Sequence, residues 1–247
     1  VYKRQGFFFN ETFTEFDNAT DAIKHFDLNY IGLDMNVERG GNNQKKFILK
    51  PKGSNYSSFE LRHASSGIQT TAPLIAMMNY YAQAFDFKLA QKRSIIDLLF
   101  EKNLTTQYRP EMELTDMPKY VHIHIEEPEL SLDPTSQIQM LNEIIRLAFY
   151  SKVDSREIGL VLATHSPYII NSQNLLMKAH DCKTDIDGAH VGYDDLSVYQ
   201  ILSGGVADLK VKNIHYVNTD RLSEDINNIY DKYQELKQLQ NEESLGK

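Results

Sequence analysis

The stretch that decides the fold runs from Tyr120 to Pro128 and reads YVHIHIEEP. Its apolar residues predict a strand, and that strand stops at the carboxylates Glu126 and Glu127 and at Pro128. Acidic side chains at the carboxyl end of a parallel strand lie where open α/β sheets bind their ligands. We therefore expect this strand end to be the centre of a functional site.

The residues that follow predict a strand–helix–strand unit. Asp133 and Pro134 suit the N-cap and first turn of a helix. The apolar run Ile158–Ala163 predicts a second strand, covered on both faces. This order of elements indicates a parallel sheet with a right-handed crossover. If the two strands are neighbours, His165, which follows the second strand, lies near Glu127.

The first third of the chain has a different pattern. Polar and apolar residues alternate from Asn29 to Glu38, which predicts a strand with one buried face. A turn-forming stretch and a returning strand, Lys45–Lys50, follow, and Pro51 ends that strand. Phe59–His63 is a further short strand. We therefore predict an antiparallel hairpin within a β-rich segment over residues 1–63.

Residues 64–247 are predicted to form an α/β lobe with a mainly parallel sheet flanked by helices. Apolar residues recur every three or four positions from Ile68 to Ala82, and a second helix is expected over Arg93–Glu101. Residues 103–119 are polar and contain two prolines, which indicates a loop. The remaining predicted elements are strands near Ser197–Leu202 and Asn213–Val217 and a helix from about Ser223 to Leu239.

Composition limits the classes of protein that this chain can belong to. The 247 residues carry a formal charge of −8, and 41% are hydrophobic, but no apolar run reaches the roughly 18 residues of a membrane span. A single cysteine, Cys182, forms no internal disulfide, which favours a reducing, cytoplasmic compartment. The acidity argues against a broad nucleic-acid surface. The chain opens with Val1 and without a signal-peptide pattern, so we expect a fragment or a processed chain.

Four segments together resemble the nucleotide-binding domain of ABC-type ATPases. The resemblance is closest to the AAA-type branch that includes the SMC and OLD (overcoming-lysogenization-defect) proteins. Val121–Glu127 resembles the Walker B strand, and Pro128–Asp133 resembles the segment that enters the D-loop. Thr164–Ser166 is similar to the switch-histidine loop, and Ala64–Gln69 is similar to the signature motif. The segments come in the family's order.

The resemblance implies a P-loop NTPase lobe that hydrolyses ATP with Mg²⁺ at the interface of a dimer or of a partner subunit. Glu126 would hold Mg²⁺, Glu127 would be the general base, and His165 would sense the γ-phosphate. The remaining ATP-contacting residues that it implies are Ser65, Ser66, Gly67, Gln69 and Asp133. The relatives suggest a role in DNA maintenance or phage defence, with a DNA or nuclease partner and no membrane.

This sequence departs from the family pattern at several places. Glu126 replaces the usual aspartate, and Ile68 stands where the signature often has Gln or Glu. The largest departure is that no G-x-x-x-x-G-K-[ST] motif occurs, and Gly40–Lys45 lacks its spacing. We therefore expect the P-loop to precede Val1 or to come from another polypeptide. Alone, the chain should hydrolyse ATP poorly or not at all.

Two other functions compete with the ATPase interpretation. The missing P-loop favours a non-catalytic module that keeps the fold for dimerisation or docking. A metal-dependent nuclease would use His122, His124 and Glu126, which share one face of their strand, although packed, hydrogen-bonded histidines are the plainer interpretation. The lysines of the hairpin would either meet a phosphate backbone or remain a solvated cluster. They are Lys45, Lys46, Lys50 and Lys52.

Overall fold

The chain divides into two units, each with its own apolar core. Unit 1 spans Val1–Thr164 and unit 2 spans His165–Lys247. The computed structural model describes residues 2–41, 44–53, 55–103, 118–211 and 213–245. The predicted loop over residues 103–119 lies for the most part outside the described residues.

The elements of unit 1 alternate between helices and short strands. The helices are α1 (Tyr2–Ala22), α2 (Ser66–Gln83), α3 (Phe87–Glu101) and α4 (Pro134–Ile145), and a π-helical turn, Arg146–Tyr150, continues α4. The strands are β1 (His25–Leu28), β2 (Leu33–Arg39), β3 (Lys45–Pro51), β4 (Phe59–Glu60), β5 (Tyr120–Glu126) and β6 (Glu157–Ala163).

An antiparallel sheet in the order β1-β2-β3-β4 confirms the predicted N-terminal hairpin. Met35 of β2 lies opposite Leu49 of β3, and both are fully buried on the core face. Two ends of the predicted strands differ from the prediction. Asn29–Ile31 and Leu61–His63 form 3₁₀ turns, and Gly32 closes the first of them in the left-handed conformation that glycine adopts without strain.

Strands β5 and β6 form a parallel pair, as predicted. The mainly parallel sheet is wrong for the described residues, since every other strand pairing there is antiparallel. The fold is therefore mixed α/β. The prediction that β6 is covered on both faces is also wrong, because its residues alternate in burial: Ile158 is buried, whereas Val161 is 44% exposed.

One apolar core joins the elements of unit 1. The antiparallel sheet contributes Phe26 and Met35, helix α2 contributes Ile75, and the parallel pair contributes Ile125 and Ile158. Because all of these side chains leave water together, burial fixes the sheets against α2 and α4. Helix α1, which the sequence analysis did not predict, joins α2 through a 2.8 Å hydrogen bond from the Tyr81 hydroxyl to Glu15 Oε2.

Unit 2 contains two helices, α5 (Pro167–Asp181) and α6 (Asp220–Leu245), and four short strands. The strands are β7 (Tyr199–Leu202), β8 (Gly205–Asp208), β9 (Lys210–Val211) and β10 (Tyr216–Val217), paired as two antiparallel hairpins. Asn174 of α5 bonds both backbone groups of Val217, at 3.0 and 2.7 Å, so its amide acts as a neighbouring strand would. Among the described helices, none is both long and apolar enough to cross a bilayer.

Candidate functional site

The carboxyl ends of β5 and β6 meet at one edge of the parallel pair. Glu126, the last residue of β5, lies opposite Ala163, the last residue of β6. The Glu127 amide then donates a 2.8 Å hydrogen bond to the Ala163 carbonyl, which extends the ladder by one residue. The two loops that follow these strands therefore leave the sheet side by side, as the sequence predicts for neighbouring strands.

Glu127 adopts a backbone conformation that few residues with a side chain adopt. Its φ is +46°, in the left-handed region. Such a conformation costs on the order of 1–3 kcal/mol, and the described residues adopt it at six other non-glycine positions. The Glu127 carbonyl accepts a 3.0 Å bond from the Leu130 amide, so a tight turn follows directly. Both Glu126 and Glu127 are exposed, as a carboxylate that meets a ligand must be.

A side-chain hydrogen bond joins the two loops. Thr164 donates from Oγ1 to Glu129 Oε1 at 2.7 Å. Thr164 follows β6 and Glu129 follows the turn at Glu127, so the bond fixes one loop against the other at the strand ends. Both residues lie in segments that resemble the switch-histidine and D-loop motifs, but the sequence predicted no role for either, because the bond spans 35 positions.

Asp133 caps helix α4, as predicted. Its Oδ1 accepts hydrogen bonds from the Thr135 and Ser136 amides at 3.0 and 3.2 Å, and Pro134 occupies the first turn. The hydrogen bond from the Ser136 hydroxyl lowers the pKa of Asp133 below its ordinary value. The Asp133 carboxylate is therefore ionised and hydrogen-bonded to the first turn of α4. Its contact with nucleotide stays a prediction.

Helix α2 presents an exposed N-terminus close to the Asp133 loop. Ser65 is its N-cap residue, but the Ser65 side chain makes no capping hydrogen bond, and Ser65 and Ser66 are both exposed. Gly67 lies against the loop: a β-carbon there would be 2.5 Å from the Ser131 carbonyl oxygen. The first amides of a helix suit an anion, since they lack intrahelical partners and carry the positive end of the dipole.

Gln69 stabilises the segment that precedes α2. Its Nε2 donates to the Arg62 carbonyl at 3.1 Å and to the Ala64 carbonyl at 2.8 Å. This side chain therefore shapes the approach to Ser65. Its predicted contact with nucleotide stays a prediction.

His165 is the first residue of unit 2 and lies between β6 and α5. It is exposed. Ser166, the next residue, caps α5 by accepting a 3.4 Å bond from the Ile169 amide. The convergence of His165 with the carboxylates stays a prediction.

His122 and His124 contact each other edge to face, with ring centroids 4.5 Å apart, but they lie exposed on β5 and not in the packed, hydrogen-bonded surroundings that the sequence favoured. The reason is that this face of the parallel pair is exposed in the part of the chain that the structure describes. Nor do they form a metal cluster with Glu126: within the described ranges, the metal-ligand atoms come together in groups of three only at His25, Asp27 and Asp34.

The cluster of His25, Asp27 and Asp34 already holds a cation, the ammonium group of Lys52. Lys52 Nζ lies 2.8 Å from Asp27 Oδ1 and 3.1 Å from Asp34 Oδ1, and donates to Asn29 Oδ1 at 2.6 Å. The hydrogen bond from Lys52 lowers the pKa of Asp27. No pattern in the sequence predicted this network, because its members lie on different strands and turns.

The lysines of the hairpin are largely committed to carboxylates. Lys45 Nζ lies 2.6 Å from Asp17 Oδ1 and 3.1 Å from Asp21 Oδ1, and Lys46 reaches Glu60 at 4.0 Å. With Lys52 also paired, three of the four candidate phosphate-binding side chains have anionic partners within the chain. This arrangement favours a structural role for the cluster over binding to a phosphate backbone.

No model of a known protein family matches this chain. No curated protein is similar to it at a significant level either. The function therefore has to be argued from the geometry of the strand ends.

Proposed function

We propose that this chain supplies the Walker B, D-loop, signature and switch segments of an ABC-type ATPase of the OLD-like branch. One observation carries the proposal: Glu127 stands in a left-handed conformation at the strand edge where β5 and β6 end in register. The Glu129–Thr164 hydrogen bond fixes the loops on both sides of that edge. Two carboxylates and a fixed pair of loops at parallel strand ends are an arrangement suited to phosphoryl chemistry.

The residues present fit Mg²⁺ in part. Glu126 ends β5 with an exposed carboxylate, and carboxylate oxygens are the ligands that Mg²⁺ prefers, alongside water and substrate phosphates. Glu126 would hold the ion, which would neutralise charge on the phosphates when bound. A glutamate is one methylene longer than the usual aspartate, so its side chain must fold back to serve the same position.

Glu127 would orient the attacking water and accept its proton. Its left-handed backbone conformation turns the chain at the end of the ladder, so the Glu127 side chain does not continue the alternation of β5. Neighbouring carboxylates can then take separate tasks, one at the metal and one at the water. His165 would donate a hydrogen bond to the γ-phosphate from the loop after β6.

The N-terminus of α2 would serve a nucleotide held by a partner subunit. Ser65, Ser66 and Gly67 would offer hydroxyl groups and backbone amides to the γ-phosphate. The close packing of Gly67 on Ser131 couples this helix start to the Asp133 loop within one chain. The 247 residues contain no P-loop motif, so the phosphate cradle and its lysine would come from residues outside them.

The test is Mg²⁺-dependent ATP turnover by the native assembly, together with whichever segment carries the P-loop. Glu127→Gln removes the base and keeps the shape, so turnover should fall by at least roughly 100-fold while ATP binding is retained. The matched control is Glu157→Gln, the same change at the exposed opposite end of β6.

Equal turnover by the wild type and the Glu127→Gln variant would overturn the catalytic assignment. If the assembly neither binds nor hydrolyses ATP, yet still forms a dimer, the fold acts as a dimerisation or docking module. An equal loss in the Glu157→Gln control would show that the effect of Glu127→Gln is structural.

A further inference from the structure

Helix α6 carries a row of exposed apolar side chains. Ile229, Tyr230, Tyr233 and Leu236 are 70%, 61%, 60% and 66% exposed. We refer to these four residues as the α6 stripe. Large apolar groups this exposed, four on one helix, form a contiguous patch rather than scattered surface residues.

The spacing of the stripe is that of a helix that packs lengthwise against another helix. Ile229, Tyr233 and Leu236 are four and three positions apart, the a/d repeat of a coiled coil, and Tyr230 flanks them. The opposite side of α6 is polar and exposed, and it comprises Glu224, Asn227, Asp231 and Gln238. The helix is therefore amphipathic in the way that a two-helix seam requires.

A helix exposed on both sides needs a partner for its apolar side. Isolated helices are marginal in water, and most helices in proteins gain their stability by packing an apolar face. Acidic residues dominate the charge of α6, and a helix that lies on an anionic membrane carries lysine and arginine on its polar face instead. The chemistry of the stripe therefore fits a protein helix.

The exposed area of the stripe approaches the lower limit for a specific dimer interface. A large aromatic side chain covers about 150–250 Å². The two tyrosines and the smaller Ile229 and Leu236, each 60–70% exposed, together expose roughly 500 Å². Two copies would bury roughly 1,000 Å² from these side chains alone, near the lower limit for a specific interface. Flanking residues would add to this area.

The charges beside the stripe favour one orientation of the pair. With Ile229 and Leu236 at d and Tyr233 at a, Lys232 takes a g position and Lys237 the following e position. In a parallel pair the g side chain of one helix faces the next e side chain of the other, which would bring the two lysines together. An antiparallel pair faces g with g and e with e, so it leaves one lysine contact, between Lys232 of the two copies, in place of two.

We propose that α6 pairs antiparallel with α6 of a second copy of this chain, through the α6 stripe. The contact is isologous, because the same four side chains serve both copies. It requires no nucleotide and does not depend on the proposed ATPase function.

The experiment is sedimentation equilibrium of the 247-residue chain without nucleotide, up to roughly 100 µM, where micromolar complexes are populated. The wild type should form dimers that dissociate on dilution. The double variant Tyr233→Glu/Leu236→Glu should weaken the dimer by tenfold or more, because it places carboxylates in the seam. The matched control, Asn227→Glu/Gln238→Glu, adds the same charge to the polar side and should dimerise like the wild type.

Circular dichroism of each variant separates loss of pairing from loss of folding. If Tyr233→Glu/Leu236→Glu does not fold, Ile229→Lys replaces it as the seam variant. A wild type that is monomeric throughout this range would overturn the proposal. So would a dimer that the folded seam variants leave intact, since the contact would then lie elsewhere, or a dimer that the control weakens equally.

Discussion

Gly67 packs against the carbonyl oxygen of Ser131 so closely that a β-carbon at Gly67 would lie 2.5 Å from that oxygen. The first turn of α2 thereby rests on the backbone of the loop that leads to Asp133. Two of the segments that resemble ATPase motifs, 64 positions apart in the sequence, are in direct contact. Glycine is required at this position by close approach, because the obstacle is backbone and cannot rotate away.

Gly67→Ala should destabilise unit 1 by about 1–3 kcal/mol, as overpacking does. The sign is informative, since alanine in place of glycine inside a helix ordinarily stabilises by about 1 kcal/mol. Urea unfolding of the variant and the wild type measures the difference. Gly41→Ala is the control, because the described residues leave open space around Gly41. A stabilised Gly67→Ala variant would show that the Ser131 backbone moves away from residue 67 at little cost.

Glu127→Gly should raise the free energy of unfolding by about 0.5–1 kcal/mol, because glycine adopts a positive φ without the strain that glutamate bears. The neighbouring change Glu126→Gly should lower it by about 1 kcal/mol, since Glu126 lies in a regular strand. Thermal or urea unfolding of the two variants tests the opposite signs. If both variants are destabilised, Glu127 is not strained.

The hydroxyl chain from Tyr30 through Thr71 to Gly67 should show coupled energetics. The Thr71 hydroxyl donates to the Gly67 carbonyl at 2.8 Å, so the Tyr30 hydroxyl donates to Thr71. Thr71→Val leaves the Tyr30 hydroxyl without this acceptor and should cost about 1–3 kcal/mol, whereas Tyr30→Phe should cost about 0.5–1.5 kcal/mol. In a double-mutant cycle measured by urea unfolding, the double variant should lose less unfolding free energy than the two single variants lose together. Strictly additive losses would show that the two hydrogen bonds are not coupled.

Stability should fall in alkaline solution through Tyr30. Burial raises the pKa of Tyr30 to about 12 from 10.0. The unfolded chain therefore loses this proton first, and stability that is complete below pH 10 declines as the pH rises from about 10 to 12, by about 2–3 kcal/mol at most. Tyr30→Phe should remove this part of the decline. The measurement is the unfolding free energy of the wild type and of Tyr30→Phe as a function of pH. Identical slopes between about pH 10 and 12 would contradict the prediction.

Features that depend on neighbours in the sequence were predictable. The N-cap at Asp133, the end of β3 at Pro51 and the end of β5 at Glu126 each follow from local chemistry, and all three are observed. Helix α2 was also predicted from its period.

Features that depend on distant contacts were not predictable. Helix α1 is held by a hydrogen bond between Tyr81 and Glu15, which lie 66 positions apart. No pattern in residues 2–22 predicted this helix. The run Ile158–Ala163 indicated burial on both faces. Apolar residues favour burial, but they do not show whether another element packs on each face of a strand. The convergence of His165 with Glu127 stays a prediction.

Lys52 gives the β-sheet of unit 1 an internal counter-ion. Its tethered ammonium lies within 3.1 Å of oxygen atoms of Asp27, Asp34 and Asn29. A tethered charge cannot be removed by a chelator or diluted away. Because the positive charge belongs to the chain, the repulsion between the Asp27 and Asp34 carboxylates is offset at any concentration of free metal ions.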